Sequence, residues 1–224
     1  MKKYLFLKSI IDLKYQNFFE ENIEMLKKFK KGVMQKLFSQ EFKFKDENDI
    51  DFPIWKEKRL NDLVIIKKGT QLNKSSMINN GKYYVLNGGI EPSGYTNDWN
   101  TDKNTITISE GGNSCGYVNF NKERFWSGGH CYYVNQFKIE IHNLFLFQEL
   151  KYFQNSIMKL RVGSGLPNIQ KGDIENFKIK VPVFEEQEKV ANFLTNIDEK
   201  IDNMKKELER IKEFKRGLLQ QMFC

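Results

Sequence analysis

Toward the end of the chain, apolar residues recur at Val190, Leu194, Ile197, Ile201, Met204, Leu208, Ile211, Leu218 and Met222. Steps of three and four alternate along this run, and Lys215 occupies the one missing place. This is the a/d seam of a heptad repeat. Val181-Pro182-Val183-Phe184 ends an extended segment, and Glu185, Glu186 and Glu188 then place acidic groups in a first helical turn, where the dipole favours them. Pro182 is the last proline and Gly217 the only glycine after it. The pattern predicts one helix over residues 184–224, roughly 55–60 Å long at 1.5 Å per residue. Such a helix needs another helix against which to bury its stripe.

Residues 41–183 read differently. Val64-Ile65-Ile66, Tyr83-Tyr84-Val85-Leu86, Thr105-Ile106-Thr107-Ile108, Gly116–Phe120 and Cys131–Val134 are short β-prone runs. Asn87-Gly88-Gly89, Ser93-Gly94, Gly111-Gly112-Asn113 and Ser127-Gly128-Gly129 punctuate them. Residues 142–160 read as helical, with Leu144, Phe147, Leu150, Tyr152 and Ile157. The expected fold class is α+β: a globular domain at 41–183 with a mixed or antiparallel sheet. It is flanked by an N-terminal helical segment at 1–40 and a long C-terminal helix at 184–224, the two helices forming a coiled coil.

An internal repeat links the two ends. MLKKFKKGVMQKLF at 25–38 aligns with RIKEFKRGLLQQMF at 210–223 at a constant offset. Lys27/Lys212, Phe29/Phe214, Lys30/Lys215, Gly32/Gly217, Gln35/Gln220 and Phe38/Phe223 are identical pairs. A repeat at this distance implies a unit of helix plus domain that is used more than once.

Charge sharpens the reading. The net formal charge is +7, which suits a polyanionic partner, since each cation set against a phosphate releases a condensed counterion. Residues 1–40 carry nine basic and four acidic groups, whereas 184–224 carry eight and nine. The C-terminal segment is therefore better suited to a basic helix than to nucleic acid. Three cysteines at wide spacing imply no disulfide framework and point to a cytoplasmic setting. No run approaches the ~18 apolar residues of a membrane span.

Several chemistries find no support. Cys115, His130 and Cys131, with His142 the only other histidine, lack the paired spacings of a zinc site. Gly163-Ser164-Gly165 lacks the third glycine of a dinucleotide fingerprint. There is no phosphate-binding Walker sequence, no Asn-Pro-Pro-aromatic motif and no recognisable nuclease carboxylate set. The expectation is a chain without catalytic residues, metal or cofactor.

The run Gly163-Ser164-Gly165-Leu166-Pro167-Asn168-Ile169-Gln170, followed by Ile174–Pro182 and Glu186-Gln187-Glu188-Lys189-Val190, resembles the end of a target-recognition domain in type I restriction–modification specificity subunits. Trp55–Gly69 and Asn87–Tyr95 are similar to the beginning and middle of such a domain. Ile197-Asp198-Glu199-Lys200-Ile201 and the FKRGLLQQMF ending are similar to the family's coiled-coil region. The resemblance covers about residues 20–224. A full member has two recognition domains, so the resemblance implies a half-subunit with one, or the C-terminal half left by truncation.

What the resemblance implies is recognition of double-stranded DNA for partners that do the chemistry. Modification (methyltransferase) subunits would methylate adenine, and a restriction/translocase subunit would cleave. S-adenosylmethionine, ATP and Mg would then sit on those partners, none on this chain. A homodimer or a second half-subunit would complete the assembly. Two readings stay open beside it: a detached recognition domain of a fused restriction–methylation enzyme, and a coiled-coil interaction protein without a DNA role.

DNA contacts need Lys, Arg, Ser or Thr for phosphates and Asn, Gln or Arg for base edges, carried on loops. The candidates are Lys68, Thr70, Gln71, Asn73, Lys74 and Ser75 after the first strand, and Asn113 and Ser114 in a glycine turn. Asn121, Lys122 and Arg124 follow at an apparent hairpin tip, and Arg161, Ser164 and Asn168 surround the later glycine loop. The candidate coiled-coil interface is Ile197, Ile201, Met204, Leu208, Ile211 and Leu218.

Overall fold

The computed structural model describes residues 2–163, 165 and 167–223, and side chains for 14–163, 165, 167–217, 219 and 220. It divides into two compact units, Met1–Phe42 with Asn192–Cys224, and Lys43–Ala191. Helix α1 (Lys2–Phe38) opens the first unit. It stops where Gln40 takes a left-handed φ of 66°, and the Phe42 N–H returns to the Lys36 carbonyl. This is the usual way a helix terminates its free carbonyls.

The second unit holds three sheets. Strand β1 (Lys56–Arg59) leads through the short helix α2 (Leu60–Leu63) into β2 (Val64–Lys68). Next come β3 (Tyr83–Leu86), β4 (Gly94–Thr96), β5 (Thr105–Ser109), β6 (Val118–Asn121), β7 (Trp126–Ser127) and β8 (Cys131–Phe137). Helices α3 (Asn143–Tyr152), α4 (Gln154–Met158) and α5 (Lys171–Asn176) precede β9 (Lys178–Val181). Helix α6 (Phe184–Phe223) begins in this unit and continues into the first.

The central sheet is antiparallel in the order β2-β8-β5-β6. Val64, Ile66, Ile106, Ile108 and Val118 are buried from it, as are Phe145, Leu146 and Leu150 from α3. A second sheet, β4-β3-β7, combines antiparallel and parallel pairing. Phe125 is fully buried beside it and stacks on Tyr84 with ring centroids 5.4 Å apart. The third sheet pairs β1 with β9, so the unit closes its own first and last strands together. Trp55 locks the same closure, packing edge-on against Phe145 and donating its indole N–H to Glu186 at 2.9 Å. The α+β class with largely antiparallel sheets and a long C-terminal helix is the one the residue pattern predicts.

In the first unit α1 and α6 lie alongside each other in opposite directions. Lys30 holds Asp198 at 2.6 Å, and Glu20 lies 3.8 Å from Lys212. Ile23 and Met34 of α1 are buried, as are Leu194, Ile197, Ile201 and Leu208 of α6. Met204 and Ile211 are half-buried, and the side chain of Leu218 lies outside the described residues. Ile23 and Leu208 each lie two residues before a copy of the internal repeat, and both are buried in this unit. Among the described residues no helix is long and apolar enough to cross a membrane.

One buried group sets a pH dependence. Glu149 of α3 accepts the Lys180 backbone N–H at 3.0 Å through Oε1, while Oε2 has no partner among the described residues. Burial pushes this carboxyl well above the usual carboxylate range. The folded chain therefore keeps a proton that the unfolded chain releases, and stability falls as pH rises above the ordinary carboxyl value. Glu149→Gln is expected to raise stability at pH 8 by on the order of 1–3 kcal/mol. The gain should shrink toward zero near pH 4, which urea unfolding at the two pH values checks.

Candidate nucleic-acid interface

Strand ends and turns of the globular unit gather five loops on one side. Gly69 N–H bonds to the Cys131 carbonyl at 2.8 Å and Thr70 N–H to the Ser127 carbonyl at 2.9 Å. These bonds pin the loop after β2 to the β7–β8 turn, and the Trp126 indole adds a bond to the Thr70 carbonyl at 2.8 Å. The close approach requires glycine. A Cβ at Gly69 would stand 2.3 Å from the Ser127 oxygen. The β5–β6 loop joins the later glycine loop through Gly112 N–H to the Pro167 carbonyl at 3.0 Å, and Gly111 bridges Asn168. Ser114 Oγ donates to the Gly88 carbonyl at 2.7 Å and Ser109 Oγ to the same oxygen, which brings in the loop after β3.

Between these loops lies a cleft of about 300 Å3 lined by Asn87, Gly111, Gly112, His130, Pro167 and Asn168. Glu110 is almost wholly buried beside it. Its Oε1 accepts Lys68 Nζ at 2.6 Å and the Tyr132 hydroxyl at 3.0 Å, and its Oε2 lies 3.1 Å from His130 Nδ1. Burial acts to raise the Glu110 carboxyl. The bonds from Lys68 and Tyr132, with the Lys68 charge, outweigh that and hold it below the usual range. Glu110 is thus a carboxylate that fixes one cation, one phenol and one imidazole at a polar opening.

The sequence-predicted residues divide among several places. Lys68, Thr70 and Gln71 come together with Ser114 and Asn168 around the cleft through the loop contacts above; Gln71 borders Gly129 of the β7–β8 turn. Asn113 is exposed in the same β5–β6 loop, and Arg161 is near enough for its charge to act on Cys115 there. Asn73, Lys74 and Ser75 are exposed farther along the loop after β2, where Lys74–Ser76 form a 3-10 turn. Ser164 lies outside the described residues.

The 121–126 segment corrects the expectation of a hairpin tip. Strand β6 belongs to the central sheet and β7 to the second sheet, so this segment is a crossing between sheets. Asn121 is 2% exposed. It donates to Thr105 O and Thr107 Oγ1 and accepts from the Tyr84 hydroxyl. Its amide serves the sheet interior and is not presented to a groove. Lys122 and Arg124 are exposed. Arg124 Nε holds Asp102 at 3.0 Å, and its guanidinium sits 4.3 Å from the Trp99 ring centroid, a cation–π stack. This forms a second basic feature, built on the β4–β5 loop.

The residues that composition did not single out for this role are Asn87, Glu110, His130 and Tyr132. Glu110 stands alone among Ser and Gly in the sequence, and His130 draws attention there only as a metal ligand. Cys115 and Cys131 are buried and unpaired. Among the described residues no group of three or more His, Cys, Asp or Glu is placed to hold a metal ion.

A family model described as the type I restriction modification DNA specificity domain matches residues 54–213. A Mycoplasma pneumoniae protein named as a type I specificity subunit is 36% identical over 157 residues, covering 69% of this chain and 42% of that protein. A Methanocaldococcus jannaschii protein named as a type I restriction enzyme specificity subunit is 31% identical over 216 residues, 89% of this chain and 51% of its own. The crystal structure of a type I restriction–modification S subunit from M. genitalium superposes with a TM-score of 0.80 at 22% identity, covering 96% of this chain and 59% of that one. That last likeness is one of fold. The chain spans about half the length of these curated relatives.

Proposed function

The chain belongs to the type I restriction–modification DNA specificity family, and from that premise we propose that its globular unit reads one part of a double-stranded DNA site. The observation that carries this reading is the convergence of five separate loops on one polar cleft, with Lys68, Thr70, Gln71, Asn113, Ser114, Arg161 and Asn168 around it. Loops held this firmly can offer cations to phosphates and amides to base edges without losing much conformational freedom on binding. Asn73, Lys74 and Ser75 extend the same face, and Lys122 and Arg124 supply a second grip.

The chain itself carries out no chemistry in this account. The paired helices are the assembly surface, forming a coiled coil whose seam is Ile197, Ile201, Met204, Leu208, Ile211 and Leu218. Modification subunits dock there and methylate adenine with S-adenosylmethionine, and a restriction/translocase subunit using ATP and Mg joins afterwards. A second recognition domain, from another half-subunit or a second copy, supplies the other part of the site. Two-fold pairing of identical copies would make the target an interrupted palindrome. The complex works in the cytoplasm, where its DNA is.

Selection from randomised duplex by the chain together with a modification subunit tests this reading. Enrichment of a defined motif supports it, and retention of all sequences equally, or of none, counts against it. Within that assay, Arg124→Ala should weaken binding at one motif position by roughly 1–3 kcal/mol. An equal loss over all sequences would make Arg124 a phosphate anchor.

A further inference from the structure

We propose that His130 determines specificity by reading the exocyclic amine of an adenine or cytosine with its Nε2. The inference rests on the reading above, that the cleft faces DNA. His130 lines the cleft, and its side chain is 59% exposed. The backbone beneath it is fixed from two sides: its N–H reaches Asn87 Oδ1 at 3.3 Å, and its carbonyl accepts the Glu110 N–H at 3.0 Å. Asn87 and Asn168, on the walls beside it, can bond the neighbouring edges of the same base pair.

The direction of the hydrogen bond follows from Glu110. Its Oε1 already receives Lys68 Nζ and the Tyr132 hydroxyl, and its Oε2 faces His130 Nδ1. A carboxylate only accepts, so Nδ1 must carry the ring's proton. In the neutral ring Nε2 is then a bare acceptor, and it has no partner among the described residues. In the major groove only adenine N6 and cytosine N4 offer a donor. Glu110 therefore acts as a positioning residue: it chooses the tautomer, and the tautomer chooses the base.

The same geometry says what reverses the choice. In Glu110→Gln the side-chain oxygen must stay at the Oε1 place, because Lys68, which can only donate, stands there. The amide NH2 then faces Nδ1, which becomes the acceptor, and Nε2 carries the proton. The preferred base should change from adenine or cytosine to guanine or thymine, whose O6 and O4 accept at the places where adenine N6 and cytosine N4 donate. His130→Lys, which leaves Glu110 intact, substitutes a side chain that can only donate and should move the preference the same way.

The test is duplex selection with the complex at pH 8.5, above the ordinary titration range of an imidazole. The wild-type complex should select adenine or cytosine at one position. His130→Ala should relax that position alone by about two- to tenfold, the range of a single hydrogen bond. Glu110→Gln and His130→Lys should each turn it toward guanine or thymine, and the lysine variant decides if the glutamine variant fails to fold. An unchanged motif in His130→Ala, an equal loss over all sequences, or an unmoved preference in His130→Lys overturns the proposal while leaving the DNA reading standing. A wild-type complex that selects no motif overturns both.

Discussion

Replacing Ile201 and Leu208 together with glutamate is expected to separate the two long helices and abolish assembly with modification subunits, while the 43–191 unit stays folded. Both side chains are nearly inaccessible, at 5% and 7% exposure. A carboxylate at either place must lie desolvated in an apolar seam or drive the helices apart. An uncompensated buried charge costs about 3–5 kcal/mol, and two of them exceed what a single helix pair gains from a handful of apolar contacts. The Lys30–Asp198 pair, 35% exposed on its acidic side, is too weak to hold the helices alone. Trypsin should then cut rapidly within Lys27–Lys31, and the modification subunit should no longer co-purify. Phe29→Glu is the matched control, since Phe29 is 53% exposed and should leave the pairing of α1 with α6 intact. A complex that survives the double change would show that another surface carries assembly.

Gly69→Ala is expected to cost about 3 kcal/mol of stability, the upper end for overpacking, and to weaken specific DNA binding at least tenfold. The new methyl would meet the Ser127 and Gly128 carbonyl oxygens at 2.3 and 2.4 Å. Both are backbone atoms, so no side chain can move aside. The loop after β2 must lift away, breaking the Gly69–Cys131 and Thr70–Ser127 bonds and drawing Lys68 from Glu110. Gly172→Ala in α5 meets open space and should be neutral or slightly stabilising, because alanine is the better helix former. Thermal unfolding and a DNA titration of both variants check the contrast. Equal behaviour of the two would mean that the loop's anchoring does not matter.

Helix α6 was legible because its apolar residues step by threes and fours, and that spacing has one physical solution; α1 was legible because its 25–38 stretch repeats the 210–223 stretch of α6. The core strands β2, β3, β5, β6 and β8 were legible from β-branched and aromatic residues set off by glycine. Strand β1 was not. Lys56-Glu57-Lys58-Arg59 is exposed along its length and is a strand only because β9 pairs with it from the far end of the unit. The helical stretch expected over 142–160 is divided at Phe153, whose ψ of 6° ends α3 without any proline or glycine to announce it.

At the candidate site, the Gly- and Asn-rich turns were visible one by one. Which of them meet is set by non-local pairings such as Gly111 with Asn168, and no local spacing encodes those. Glu110 and His130 are twenty residues apart and become partners only because β5 and β8 are neighbours in the sheet. Asn121 misleads for the complementary reason. A polar residue before Lys-Glu-Arg reads as a loop tip, whereas here it ends a strand and satisfies buried groups.

The most direct measurement is a methylome: a host carrying a type I modification subunit, sequenced for modified adenine with and without this chain. The account predicts one interrupted motif that is methylated only when the chain is present, and lost with the Ile201→Glu, Leu208→Glu double variant. An unchanged pattern of methylation, in a host where the chain and the modification subunit co-purify, would contradict it.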